Sequence, residues 1–371
     1  MPRIRRRFLI DPTEVAVYHC INRCVRRSFL CGKDPLSGKD YEHRRQWIQD
    51  RMQFLAGQFG VDVLGFSIMS NHIHIVIRNR PDIVQGWSDI QVARRWWNIF
   101  PKRRDDEGHA KEPTDFELQM ITFNAVQLAE IRQRLSSVSW FMRCLAEPIA
   151  RKANYEDICR GCFWEGRYKC VPILDESALA ACLAYVDLNP IRAQIAETPE
   201  TSRFTSVYER IQALGQQPAD VSAQIESESP DSRCDTEVPP NCSPAESGHK
   251  PTSGAAWLSP FELSEATSDE PVPSDRASNK GCLPMSFAEY LELLDWTGRQ
   301  LRQDKRGAIP HDLAPILERL RVSDEGWMQL MGRFSRLFRR AAGRPPSLQR
   351  EREQRGCQLM QGIRHSRAIF F

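Results

Sequence analysis

The sequence lacks an apolar run of bilayer length, so a membrane-spanning helix is not expected. Its basic start, MPRIRRRF, has no hydrophobic stretch behind it, so a secretory signal is not expected either. A cytoplasmic location follows as the expectation, with the twelve cysteines held as reduced thiols. No set of four cysteines stands at regular spacing. Cys159 and Cys162 form a CxxC with Cys170 behind them, and Cys20, Cys24 and Cys31 make a looser group. Neither group supplies four ligands, so ordinary cysteines are expected over a structural zinc. There is no internal repeat. Strong net charge is missing too: +3 over 371 residues carries no argument alone.

What is present is an uneven distribution of charge. Arg23, Arg26 and Arg27 extend the basic N-terminal region, and RFSRLFRRAAGR makes a second basic cluster near the C-terminus. Between them, residues 215–282 are acidic and rich in Ser and Pro, with few large apolar residues. That composition reads as a disordered linker, with AWLSPFEL as one sticky exception. The length suggests roughly two or three domains. The boundaries expected are 1–214 for a catalytic domain, 215–282 for the linker, 283–343 for a small helical domain and 344–371 for a flexible tail.

Hydrophobic periodicity orders the first part of the chain. AVYHCINRCV reads as a strand, residues 41–59 as an amphipathic helix, and VDVLGFSIM, SN and HIHIVIRN as strand, turn and strand. Helices follow Pro81, and residues 116–135 read as another. SVSWFMRCLAEPIARKANYE is helical around Pro148. CFWEGRYKCVPIL is strand-like. DESALAACLAYVDLNPIRAQIAE is the clearest helix, with Asp175 as its N-cap and a loss of regular bonding near Asn189-Pro190. An α+β fold results, with a ferredoxin-like antiparallel sheet covered by helices on one side. FAEYLELLDWTGRQL, LAPILERL and WMQLMGRFSRLFRRAAG predict a small all-helical C-terminal domain.

His72 and His74 lie in GFSIMSNHIHIVIRN with only Ile73 between them. Alternate residues of a strand share a face, so the two imidazoles point together and Ile73 points away. They are either two partly exposed histidines at a sheet edge or a pair able to meet one cation with a further ligand. Such a set suits Zn²⁺ or Ni²⁺ well and Mg²⁺ or Mn²⁺ moderately. Tyr185 stands in a helix of small and apolar residues, with Asn189 four positions on. At about 1.5 Å per residue these share a face roughly 6 Å apart. Tyr185 is then a core aromatic or a nucleophile, and Asn189 a helix terminator or a metal ligand. A phenol attacks poorly at neutral pH, its free pKa being about 10. A metal that polarises a phosphate would help, and a covalent phosphotyrosine would conserve phosphodiester energy. Arg23, Arg26, Arg27, Arg78, Arg167 and Lys169 are candidates to position phosphates. Trp164 and Tyr168 in FWEGRYK could stack bases.

MSNHIHIVI, followed far downstream by FWEGRYK and AYVDLNPIRA, resembles the single-tyrosine HUH transposases, and best their REP-associated branch. The resemblance covers about residues 10 to 210. It implies a metal-dependent single-stranded DNA endonuclease and strand transferase acting through a 5′-phosphotyrosine intermediate. His72 and His74 would be the HUH histidines, Tyr185 the nucleophile, and Asn189 the polar residue completing the metal site. Mg²⁺ or Mn²⁺ would be the cofactor, and single-stranded DNA with a hairpin from a palindromic repeat the partner. Arg167 and Lys169 would contact DNA. The chain is longer than the minimal members, and either a monomer or a homodimer is compatible. A hairpin-binding protein that has lost catalysis is the alternative.

Overall fold

A computed structural model describes residues 9–25, 30–34, 38–106, 108, 110–215, 254–263, 272–301, 314–357 and 360–371. Arg26 and Arg27 lie outside the described residues, as does most of 215–282. The chain runs β1 (Val17–Arg23), α1 (His43–Gln58), β2 (Val61–Ile68), β3 (His72–Asn79), α2 (Pro81–Gly86), α3 (Asp89–Ile99), α4 (Asp115–Thr122), α5 (Ala125–Leu135), α6 (Val138–Glu156) and β4 (Lys169–Ile173). It continues through α7 (Glu176–Asp187), α8 (Asn189–Arg192), α9 (Ser206–Gly215), α10 (Phe287–Leu301), α11 (Ala314–Arg319), α12 (Asp324–Leu337), α13 (Pro345–Gln354) and α14 (Ile363–Ile369). The four strands pair antiparallel in the order β2-β3-β1-β4. That is the ferredoxin-like arrangement of an α+β fold, with a further helical region at the C-terminal end.

The alternation of the strands sorts the core into two layers. Tyr18, Cys20, Ile73, Ile75 and Ile77 face α1, α5 and α6. Val76, Val171 and Ile173 face α7 on the other side. Helices therefore cover both faces of the sheet, not one. The reason is α7, whose apolar and small residues run all the way round; Ser177 to Asp187 are all buried. A helix of that kind has no face for solvent and must lie between two layers. Its second layer is α12, with Trp327, Leu330 and Phe334 in the same cluster as Leu183 and Tyr185. Gly65 lets α7 approach β2 closely, since a Cβ there would lie 2.6 Å from Leu183 Cδ2. The C-terminal helices form a separate helical region whose core is continuous with α7.

Three expectations are corrected, one by a local cap and two by long-range packing. Residues 116–135 form two helices, because Asn124 breaks the first and caps the second, accepting from Gln127 N. The region read as a disordered linker contains built segments. Leu258 pairs with Val63 and Trp257 packs on Phe66, covering the exposed edge of β2. The tail from 344 onward holds α13 and α14, and Leu348, Ile369 and Phe370 are buried.

Arg78, a candidate DNA contact, is corrected in the same way. It is buried, donates to Asp62 at 2.8 Å and to the carbonyls of Gly281 at 2.8 Å and Lys280 at 2.6 Å. It ties the 272–283 segment to the sheet. Asp62 also accepts from Arg80 at 3.3 Å and Ser278 at 2.8 Å. Arg78→Ala strands part of a buried ion network and is expected to cost about 3 kcal/mol or more. Urea denaturation of the full chain measures this, and a loss below about 1 kcal/mol would mean the pair is effectively solvated.

Candidate active site

The face of the sheet under α7 carries the chemistry. Arg23 on β1 lies directly opposite His72 on β3, and Ile21 lies between His74 and Lys169. His74 is 2 % exposed. Its Nδ1 is 2.8 Å from Nε2 of a third histidine, His19, which is also buried. The His19 and His74 rings stack at 5.1 Å, and His72 meets His74 edge-on at 4.8 Å. Ile73 joins the opposite core, as the alternation requires.

Tyr185 closes the group from α7. Its ring is 5.8 Å from that of His74 and only 7 % of the residue is exposed. A cavity of about 180 Å³ opens beside it, lined by His72, His74 and Tyr185 and by the cations Arg23, Arg167 and Lys169. The structure therefore brings together six of the sequence-predicted residues. Arg167 and Lys169 are exposed, but the aromatics that alternate with them turn inward. Tyr168 is buried with its hydroxyl 3.1 Å from Ser139, and Trp164 donates to the Ala146 carbonyl. Tyr168 belongs to the protein interior, and Trp164 is half-buried against it.

Asn189 is placed differently from expectation. Regular helix ends at Leu188, and Asn189 begins α8 with Pro190. The proline cannot donate and sets a new turn, so Tyr185 and Asn189 do not sit on one continuous helix. Asn189 does not line the cavity. Its Oδ1 accepts from Arg192 at 2.9 Å, and the Arg192 guanidinium lies 4.3 Å from the Tyr185 ring centroid.

The chain is similar to a solved REP-associated tyrosine transposase, bound to a REP hairpin. The two share 12 % identity at a TM-score of 0.34, over 64 % of this chain and 100 % of that one. No family model and no curated protein matches the chain. The chemistry of the pocket rests on its own side chains.

Those side chains meet part of the requirement for a cation. His72 Nδ1 lies 2.6 Å from Asn71 Oδ1, an oxygen that can only accept. The proton therefore sits on Nδ1, and Nε2 carries a lone pair. Burial, with Arg23, Arg192 and Lys169 nearby, pushes His72 down to about 4. His74 is driven well below its ordinary value by burial first and then by His19 and His72. Burial, then His72, takes His19 to about 3. All three are neutral at physiological pH, the state in which imidazole ligates metals. His74 Nε2 is buried with no hydrogen-bond partner among the described residues. An orphaned buried nitrogen is costly unless something meets it. The third ligand is less ready, since the Asn189 oxygen is engaged by Arg192. Among the described residues no group of three or more His, Cys, Asp or Glu side chains is arranged to hold a metal.

Three residues at the site went unread in the sequence: His19, Arg192 and Ser335. His19 stands in a strand, in AVYHCINR, but only the β1–β3 register brings it to His74. Arg192 follows Asn189 by three in NPIR. Ser335 has no local signal at all. Among the described residues no helix is long and apolar enough to cross a membrane.

Proposed function

We propose that the chain is a single-stranded DNA endonuclease and strand transferase that works through a phosphotyrosine at Tyr185. The observation that carries this is the meeting of the His72–His74 pair and the Tyr185 hydroxyl in one small pocket lined by three cations. Arg23, Arg167 and Lys169 would hold the phosphodiester by its charge. The Tyr185 oxygen attacks phosphorus, and a bond forms between them. The P–O3′ bond breaks, and its electrons stay on the 3′-oxygen. The phenolic proton leaves to solvent, and the 3′-oxygen takes one up, so the products are a 5′-phosphotyrosine and a 3′-OH. A later 3′-OH reverses the step and rejoins DNA.

His72 and His74 would hold Mg²⁺ or Mn²⁺ through their Nε2 atoms, with Asn189 joining once Arg192 releases it. The ion would supply charge stabilisation at the phosphate. The DNA would be single-stranded with a hairpin from a palindromic repeat, met in the cytoplasm by a monomer or homodimer. A catalytic region within residues 1–214 is proposed to act with the C-terminal helices packed on it.

A second reading is a hairpin-binding protein without catalysis. One observation favours it: the oxygen of Asn189 is taken up by the Arg192 guanidinium. Labelled palindromic oligonucleotides from the DNA flanking the gene, incubated with protein and Mg²⁺ or Mn²⁺, separate the two. A labelled protein band on a denaturing gel, lost with chelator, is the expected result. Hairpin binding with no such band under either ion supports the second reading.

A further inference from the structure

Ser335 lies on α12, 150 residues beyond Tyr185, and its hydroxyl donates to the Tyr185 oxygen at 2.7 Å. We infer that Ser335 is a positioning residue for the Tyr185 nucleophile, so that the C-terminal helical region completes the reactive pocket. The inference rests on the phosphotyrosine reading above.

Attack on phosphorus needs the phenolic oxygen held within about 3–3.5 Å and in line with the bond that breaks. A tyrosine ring must therefore be fixed in both tilt and rotation. Three contacts fix it here. Ser335 holds the oxygen. Phe334 stacks on the ring at 5.5 Å with 28° between planes. Arg192 lies over the ring and donates to the Met331 carbonyl at 2.9 Å. Two of these contacts come from α12, and the third is anchored to it.

The helix that presents Ser335 is itself firmly held. Ser323 caps its start, accepting from Gly326 N at 3.1 Å. Trp327 is buried and donates to Thr297 on α10 at 2.9 Å. A side chain carried on a packed helix keeps its place better than one on a loop. The helix also leaves the hydroxyl a way to react. Ser335 lines the cavity beside Tyr185 as one wall, and the space of about 180 Å³ remains. Because Ser335 donates to the phenolic oxygen, the phenol's own proton is left free to depart towards the pocket. The Ser335 hydroxyl then stays as a donor while negative charge passes over that oxygen.

The test uses the full chain carrying Ser335→Ala, Ser335→Thr or Ser335→Cys, with single-turnover adduct formation and oligonucleotide affinity measured side by side. Ser335→Ala is expected to slow adduct formation about 10- to 100-fold, the scale of losing a supporting hydrogen bond at a reacting centre. Affinity should stay within about twofold, because Ser335 supports the nucleophile and not the bound strand. Ser335→Thr keeps the donor and should restore most of the rate. Where Ser335→Ala does not fold, Ser335→Cys keeps the volume, weakens the donor and should slow the reaction in the same sense. Nitration of Tyr185 by tetranitromethane, which acts on the phenolate, followed by mass spectrometry against the exposed Tyr155, should fall several-fold without the Ser335 donor.

An unchanged rate in a folded Ser335→Ala chain overturns the inference. A faster rate also overturns it and makes α12 a restraint on the nucleophile. A slow variant that threonine does not rescue, with nitration unmoved, reports packing alone and counts against it. No adduct from the unaltered chain sinks the phosphotyrosine reading and the positioning role with it.

Discussion

Tyr185→Phe is expected to abolish the covalent protein–DNA adduct, with a rate loss of at least about 10⁴-fold, the scale of removing a catalytic nucleophile. The substitution is unusually clean at this position. It deletes one oxygen and keeps the ring that Phe334 stacks on and Arg192 covers. Among the described residues, the hydrogen bond lost is that from Ser335, a half-buried side chain. Its removal should cost about 1 kcal/mol of stability. The variant will therefore fold, and a missing adduct cannot be put down to unfolding. The cations Arg23, Arg167 and Lys169 are untouched, so affinity for a labelled hairpin should change less than about twofold. Denaturing gels give the first quantity and a filter or mobility-shift titration the second. An adduct of ordinary yield from Tyr185→Phe would place the nucleophile on another residue.

Much of the frame around Tyr185 was legible because it is encoded locally. The period-2 runs placed three strands close to their observed bounds, and Ile73 against the core followed from parity alone. Asp175 was readable as the N-cap of α7, and its side chain accepts from Ala178 N at 2.9 Å. What could not be read depends on contacts across long stretches of chain. His19 meets His74 only through a pairing between residues 55 positions apart, and a shift of one residue would send His19 to the other face. Arg78 reads in the sequence as a phosphate contact at the end of the histidine strand. Its partners Lys280 and Gly281 come from a segment whose composition suggested disorder. Trp257 and Leu258, in the AWLSPFEL stretch that stands out from the linker's composition, insert at the open edge of the sheet, and Leu283 pairs with Glu262 behind them. The sequence marks that stretch as sticky but not the strand it covers. The helix bearing Tyr185 is plain in the sequence, and its all-round apolar surface demands a second covering layer, but nothing local in the sequence says that α12 supplies it.

His74→Ala and His72→Ala should separate the metal from the fold. Both remove an imidazole whose Nε2 is available in the pocket, and both should weaken Mn²⁺ binding by roughly 100-fold or more. Even partners one shell out from a metal cost about 10–100-fold when lost. Adduct formation should fall in step, and chelator should do the same to the unaltered chain. The two variants should differ in stability. His72 is half-buried with its Nδ1 on the neighbouring Asn71, so its loss leaves little stranded. His74 is buried against His19, and removing it orphans a buried imidazole nitrogen. His74→Ala should therefore cost about 1–3 kcal/mol by denaturation, His72→Ala well under 1 kcal/mol. Changing His19 and His74 together should cost less than the sum of the two single changes, because each single change strands the other ring. Mn²⁺ titration followed by calorimetry, with urea denaturation alongside, measures both quantities on the same samples. Equal Mn²⁺ affinity in all variants would remove the histidine pair from the metal site, and the pocket would then have to act through its arginines and lysine alone.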